Sequence, residues 1–365
     1  MYNPVRIGQG GRDLMDSIPF AVLPPLPTKP RTLLVHLLNR CNLNCRHCYL
    51  DASPQRATVL PSDLVELAIA DARQIGIQTT FLSGGEPLLY KDLHRLLTAV
   101  ANTGDMSIVI CTNATLVTTA EADFLRDHVV RAQVSCDGTA TFHDSFRGHQ
   151  GAFCDMERGI SFLTTRGIPI KVVATISDAN VDSLSWLATW AHDHGVQELS
   201  LQPLMLVGRG STLQNQSLNS TQLCELFLKL SDLGHAYRNR GLKFSLSYHT
   251  RKFLLAHPCA AFLCDANRCH RNVEREIKKL ILREDGTVLP EVPTLSYRFA
   301  IGNLHNSRLA ELVESYFENG YQAFQRLCRT TYQDIMPTWK APLVPWEELV
   351  SEYSHRPMSI PICCH

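Results

Sequence analysis

Along roughly the first two-thirds of the chain, short apolar runs alternate with longer stretches in which apolar residues recur every three or four positions. The short runs, rich in Val, Ile and Leu, predict strands over 33–38, 79–82, 107–111, 132–135, 171–176 and 198–203. The stretches between them predict helices over 61–75, 91–102, 121–128, 153–166 and 181–194. The first helix starts at Pro61-Ser62-Asp63 and places Leu64, Leu67, Ala68 and Ile75 on one face. Six strand–helix repeats of this kind predict an α/β fold with a parallel sheet covered by helices. Each strand ends in polar or glycine-rich residues, so chemistry is expected at the C-terminal edge. The alternation stops near residue 245. The chain is therefore divided into an N-terminal extension (1–30), a core (31–245) and a C-terminal region (246–365).

Composition narrows the partners. Lys+Arg and Asp+Glu both number 35, so the formal net charge is zero, which argues against binding nucleic acid or anionic membrane through bulk charge. No apolar run approaches the roughly 18 residues of a membrane span, and the start, Met1-Tyr2-Asn3-Pro4, lacks a signal pattern. Thirteen cysteines in 365 residues point to metal or thiol chemistry in a reducing compartment. The expectation is a cytoplasmic enzyme that works with little oxygen and binds neither nucleic acid nor membrane.

The densest cysteine group follows the first strand: Cys41-Asn42-Leu43-Asn44-Cys45-Arg46-His47-Cys48-Tyr49. Three thiolates on a loop at a strand's C-terminal end can hold three irons of a cubane and leave the fourth open. A structural zinc site would need a fourth ligand, and His47 lies too close in sequence to close an easy tetrahedron. A disulfide framework suits small secreted chains. The CxxxCxxC spacing, with aromatic His47 before the last cysteine, resembles the signature of the radical S-adenosylmethionine (SAM) enzymes. The order of elements over roughly 31–245 is similar to that family's partial (β/α)6, TIM-like barrel.

Further segments carry the resemblance. Ser83-Gly84-Gly85-Glu86-Pro87 looks like the family's GGEP element. Its glycines permit close backbone approach, and exposed carbonyls with the Glu86 carboxylate can receive the SAM ammonium. Thr112-Asn113-Ala114-Thr115 is similar to TNGT, with Ala114 in place of glycine. That replacement predicts a turn that is not left-handed, with Asn113 in the pocket wall. Ser135-Cys136-Asp137-Gly138 resembles SxDG, which gives Ser135 a SAM contact. His143-Asp144-Ser145-Phe146-Arg147-Gly148 looks like the HDxxRG segment of peptide- and tetrapyrrole-modifying branches. Arg147 is its candidate for the SAM carboxylate, while His143 and Asp144 orient the loop. Gln202-Pro203-Leu204 could contact adenine or substrate. Gly208-Arg209-Gly210 reads only as the loop beyond the sixth strand.

The resemblance implies a [4Fe–4S] cluster on Cys41, Cys45 and Cys48, with SAM bound by Gly84, Gly85, Glu86, Asn113, Ser135 and Arg147. Reductive cleavage of SAM would yield a 5′-deoxyadenosyl radical that abstracts hydrogen from substrate. An electron donor such as flavodoxin or ferredoxin is implied as a partner. In the C-terminal region, Cys259, Cys264 and Cys269 are evenly spaced, and Asp285-Gly286-Thr287-Val288-Leu289-Pro290-Glu291 precedes Ile301-Gly302-Asn303-Leu304. This resembles a SPASM/twitch extension in which Glu291 stands where cysteine is expected. One auxiliary iron–sulfur cluster, on Cys259, Cys264, Cys269 and Cys328, is the reading against buried or exposed free thiols. Cys363-Cys364-His365 receives no assignment, and Cys111, Cys136, Cys154 and Cys224 read as packing residues. The catalytic residue toward substrate is not legible. The leading function is modification or cross-linking of a ribosomally made peptide substrate. Tailoring of a tetrapyrrole and a non-catalytic iron–sulfur scaffold are the alternatives.

Overall fold

A computed structural model describes residues 32–104, 106–261 and 277–357. The N-terminal extension, Cys264, Cys269 and Cys363-Cys364-His365 lie outside them. The predicted alternation is present: β1 (Thr32–His36), α1 (Ser62–Gln74), β2 (Thr79–Ser83), α2 (Leu93–Ala101), β3 (Ser107–Thr112), α3 (Thr119–His128) and β4 (Arg131–Ser135). Next come α4 (Ala140–Arg147), α5 (Ala152–Thr165), β5 (Ile170–Ile176), α6 (Leu184–Asp193), β6 (Glu198–Pro203), α7 (Ser220–Tyr237) and β7 (Lys243–Leu246). Helix α4 was not foreseen; it carries the whole HDxxRG segment apart from its final glycine. Its inward positions are His143, Asp144, Phe146 and Arg147, and a face with three ionisable groups does not read as amphipathic.

The C-terminal region adds β8 (His249–Thr250), α8 (Arg251–Ala256), β9 (Lys279–Leu282), β10 (Thr287–Pro290), β11 (Gly302–Asn303), α9 (Leu309–Asn319), α10 (Tyr321–Ile335), β12 (Leu343–Val344) and α11 (Trp346–His355). Ten strands form one open sheet in the order β11-β10-β9-β1-β2-β3-β4-β5-β6-β7. Strands β1 to β7 are parallel, each paired with the next. The hairpin β9–β10 and strand β11 extend the sheet beyond β1. Strand β9 runs parallel to β1, with Thr32 opposite Lys279 and Val35 opposite Leu282. The C-terminal region therefore shares the sheet and the hydrophobic core of the first six repeats.

One face of each strand packs under the helices, where Leu33, Val35, Ile110, Val134, Val172 and Leu201 are fully enclosed, while alternate positions such as Leu34, Phe81, Gln133 and Val173 line the cavity. Helix α3 is capped by Thr118, whose hydroxyl accepts the Glu121 N–H at 3.1 Å, and α7 by a reciprocal Asn219/Gln222 box. No helix among the described residues is long and apolar enough to cross a membrane. Three cysteine expectations need correction. Cys154 and Cys224 lie exposed on α5 and α7 rather than in the core, and Cys111 is only half-buried, whereas Cys136 and Cys328 are buried. A thiol reagent should therefore modify Cys154 and Cys224 well before Cys136 and Cys328. Peptide mapping of briefly labelled protein checks this; early labelling at Cys136 would contradict the packing.

Candidate functional site

The loop leaving β1 folds back on itself. Asn39 donates to the Thr58 carbonyl at 3.1 Å and Cys41 to that of Ser53, also at 3.1 Å. Cys41, Cys45 and Cys48 line one cavity of about 420 Å³, together with Gly84, Gly85, Asn113, Ser135 and Arg147. That size is ordinary for a cofactor or ligand site.

Each thiol has its own N–H donor. Cys41 Sγ receives the Leu43 N–H at 3.4 Å and Asn113 Nδ2 at 3.8 Å. Arg147 Nη1 points at Cys45 Sγ from 3.9 Å, and the Ala52 N–H reaches Cys48 Sγ at 3.3 Å. Donors aimed at sulfur favour thiolate and the negative charge of an iron–sulfur cluster. Without metal, burial pushes the Cys41 thiol up to about 12, helped by the nearby Glu86. Burial raises Cys45 as well, against the pull of Arg147. Metal binding here must displace protons. Among the described residues no three His, Cys, Asp or Glu side chains gather closely enough for one ion. Three thiols, each faced by an N–H donor, suit a cluster that distributes its irons among the sulfurs.

The Gly84-Gly85 turn presses directly on this loop. A Cβ on Gly84, whose φ is +136, would lie 2.5 Å from the Leu38 carbonyl oxygen, and one on Gly85 would lie 2.1 Å from that of Arg40. The Gly85 and Glu86 N–H groups donate to those same carbonyls at 2.7 and 3.0 Å. Both glycines are required by backbone contact, whatever binds beside them.

The Glu86 carboxylate is fully buried and accepts from Thr112 Oγ1 at 2.7 Å, the Asn113 N–H at 2.8 Å and the Leu88 N–H at 3.2 Å. Burial pushes it up to about 7, with those hydrogen bonds pulling the other way. Three protein donors bond its oxygens, so it braces the Asn113 turn. Asn113 in turn donates to Asn42 Oδ1 at 2.9 Å and accepts the Thr115 N–H at 2.9 Å. Ala114 is left-handed after all, with φ +60. The bonds on either side of it, from Asn113 N–H to Glu86 and from Thr115 N–H to Asn113, impose the turn despite the Cβ penalty of about 1–2 kcal/mol.

Arg147 lines the cavity but is not free. Its Nε donates to Asp137 Oδ2 at 2.7 Å, and the other Asp137 oxygen accepts the Thr175 N–H at 3.0 Å. Burial alone would raise the Asp137 carboxyl, yet Arg147, His47 and His143 with the Thr175 N–H hold it below the usual range. Asp144 caps α5 by accepting the Gly151 and Phe153 N–H groups at 2.7 and 2.8 Å, the orienting role expected for it. His143 Nδ1 lies 3.3 Å from the Asp137 N–H. The His47 ring stacks on Phe146 at 4.0 Å, and burial lowers it to about 3, so it is neutral at pH 7. Asp137 was visible in the sequence motif, but its pairing with Arg147 was not.

Of the proposed auxiliary ligands, Cys264 and Cys269 lie outside the described residues. Cys259 lies in a short turn, Pro258–Ala261, and Cys328 is buried on α10. Burial and the nearby Glu291 raise the Cys328 thiol far above its usual range. Glu291 is itself buried, left-handed at φ +58, and accepts the Lys278 and Lys279 N–H groups.

The Radical SAM superfamily profile matches residues 35–179, the stretch that supplies the three thiols, the glycine turn and Arg147. The chain carries a radical SAM domain. Among curated proteins it is 31% identical to Fe-coproporphyrin III synthase of Methanosarcina barkeri, over 60% of this chain and 56% of that protein. It is 25% identical to the antilisterial bacteriocin subtilosin biosynthesis protein AlbA of Bacillus subtilis, over 54% and 44%. The chain thus matches about half the length of these relatives. Among solved structures, Streptococcus suis SuiB bound to S-adenosylmethionine superposes with a TM-score of 0.65 at 16% identity, covering 82% of this chain and 68% of SuiB. At that identity the likeness concerns the fold, a partial TIM-type α/β barrel.

Proposed function

We propose that this protein is a radical SAM enzyme that abstracts hydrogen from a ribosomally made peptide, modifying or cross-linking it. The observation that carries the enzymatic reading is the convergence of three thiols, each with an N–H donor, beside the Gly84-Gly85 turn on one cavity. Cys41, Cys45 and Cys48 would hold a [4Fe–4S] cluster, and the backbone at Gly84–Gly85 with Asn113 and Ser135 would flank SAM. Reduced by a donor such as flavodoxin or ferredoxin, a cluster and SAM held there would supply a primary carbon radical by one-electron cleavage of SAM. The chain's own contribution is to orient the ligands and exclude water.

The cavity walls favour a peptide. The Arg and Lys side chains among the described residues lining it, Arg147 and Lys279, are tied to Asp137 and Glu347. Propionate-bearing tetrapyrroles would call for unpaired cations. Gln133, Thr175, Gln202 and Ser247 instead present amides and hydroxyls, which suit a peptide backbone. The cavity also reaches Thr32 and Lys279, at the strand ends opposite the cysteine loop. A peptide could therefore be drawn along the barrel interior. The tetrapyrrole alternative is favoured by the Fe-coproporphyrin III synthase likeness.

The reading is tested with anaerobically reconstituted protein, SAM, dithionite and deuterated peptides encoded beside its gene. Deuterium should appear in 5′-deoxyadenosine, and the unlabelled peptide should give a product lighter by two hydrogens, or unchanged in mass for epimerisation. Transfer from a tetrapyrrole substrate, with none from any such peptide, would reverse the ranking.

A further inference from the structure

We propose that Arg209 is a positioning residue that latches the cysteine loop to the end of β6 and so holds the three thiols in cluster-binding geometry. This rests on the cluster reading above. Arg209 makes four hydrogen bonds to that loop. Its backbone N–H donates to the Cys48 carbonyl at 3.0 Å. Its Nε donates to the Cys45 carbonyl at 2.8 Å, Nη2 to the Ala52 carbonyl at 2.6 Å and Nη1 to Asp51 Oδ1 at 2.9 Å. The gripped carbonyls belong to two of the three cysteines and to Ala52, whose own N–H bonds Cys48 Sγ. One guanidinium thus fixes both the backbone that carries the sulfurs and a donor that faces one of them.

The flanking glycines make this approach possible. Gly208 has φ +60, and a Cβ there would lie 2.6 Å from both the Cys48 and Tyr49 carbonyl oxygens. A Cβ on Gly210 would lie 2.2 Å from the Met205 carbonyl oxygen. The Gly-Arg-Gly run, which reads as an unremarkable loop, is shaped to bring backbone against backbone. Its place in the topology gives it purpose. The sheet is open, with β1 and β6 separated by four strands and joined by no ladder. The latch is what ties the sixth repeat to the loop after the first.

Arginine is required because its planar fork meets three acceptors in fixed directions, which an ammonium on a flexible stem does not. Asp51, left-handed at φ +52, is also held from the outside by exposed Arg56, which bonds its carboxylate and its carbonyl. Arg56 touches no carbonyl of a cysteine, so it provides a matched control.

The test compares the wild type with R209A, R209K, G208A and R56A, all reconstituted anaerobically with iron and sulfide. Three quantities are read: iron release to a chelator, the electron paramagnetic resonance spectrum of the reduced protein, and thermal melting before reconstitution. R209A should release iron about 10–100-fold faster, the usual penalty for losing a group that orients metal ligands. Its reduced spectrum should broaden, while melting before reconstitution stays close to wild type. G208A should behave similarly, R209K should recover only part of the retention, and R56A should match wild type. Wild-type iron retention and spectrum in R209A would overturn the proposal. So would a fall in melting before reconstitution that accounts for the whole loss, since Arg209 would then be a general brace of the fold. Failure of the wild type itself to take up iron would overturn the cluster reading, and the latch with it.

Discussion

Replacing Cys41, Cys45 and Cys48 together with alanine should abolish both iron uptake at this site and reductive cleavage of SAM. Each change removes a sulfur ligand and leaves its N–H donors, Leu43, Asn113, Arg147 and Ala52, with no anion to face. The loop itself should survive. Its ladder to Thr58 and Ser53 and its contacts with the glycine turn and Arg209 do not involve sulfur, so far-ultraviolet circular dichroism should remain native. The expected result is a folded protein without the cluster's absorption or its reduced-state resonance. Retained SAM cleavage in the triple variant would sink the enzymatic reading. Unfolding of that variant would instead show that the sulfurs pack the loop as well.

The second large effect is on stability. Asp137→Ala should destabilise the protein by about 3–5 kcal/mol, because it strands the Arg147 guanidinium in the interior. Arg147 is 8% exposed and Asp137 0%, so water cannot compensate readily. Breaking the exposed Arg126–Asp127 pair should give no measurable change. The Asp137 pair also sets an acid limit. Its folded carboxyl lies below the usual range, so its stabilisation is complete above the unfolded value of roughly 3.9. It fades as pH falls through the lowered folded value. Denaturant titration of the wild type and D137A between pH 7 and pH 3 checks both points. Curves that stay parallel down to the lowest pH would contradict the assignment.

The parts legible in the sequence are those encoded within a few neighbouring residues. The apolar run 33–38 and the CxxxCxxC spacing located β1 and its loop, and Gly84-Gly85 located the turn that presses on it. What stayed hidden depends on partners distant in sequence. Nothing local to Glu86 indicates that Thr112 and Asn113 bond its oxygens. Helix α4 looked like a loop because its buried face carries His143, Asp144 and Arg147, whose reason for burial is Asp137 and the cysteine loop. Ala114 concealed a left-handed turn that glycine would have advertised. Arg209 gave no signal, since three of its four acceptors are backbone carbonyls that any sequence provides and the fourth, Asp51, is 158 residues away.

The pairing of β9 with β1 also has a consequence for how the chain is made. Thr32 lies opposite Lys279, so one edge of β1 stays open until about 250 further residues have been synthesised. At ~5–20 residues per second that is on the order of 10–50 s on the ribosome. During that interval an apolar parallel strand presents bare N–H and C=O groups to any passing chain. Nascent chains should be most prone to aggregate in this window. A version stopped before residue 279 should accumulate as insoluble protein when a version stopped after residue 303 does not, even though both contain the complete cysteine loop.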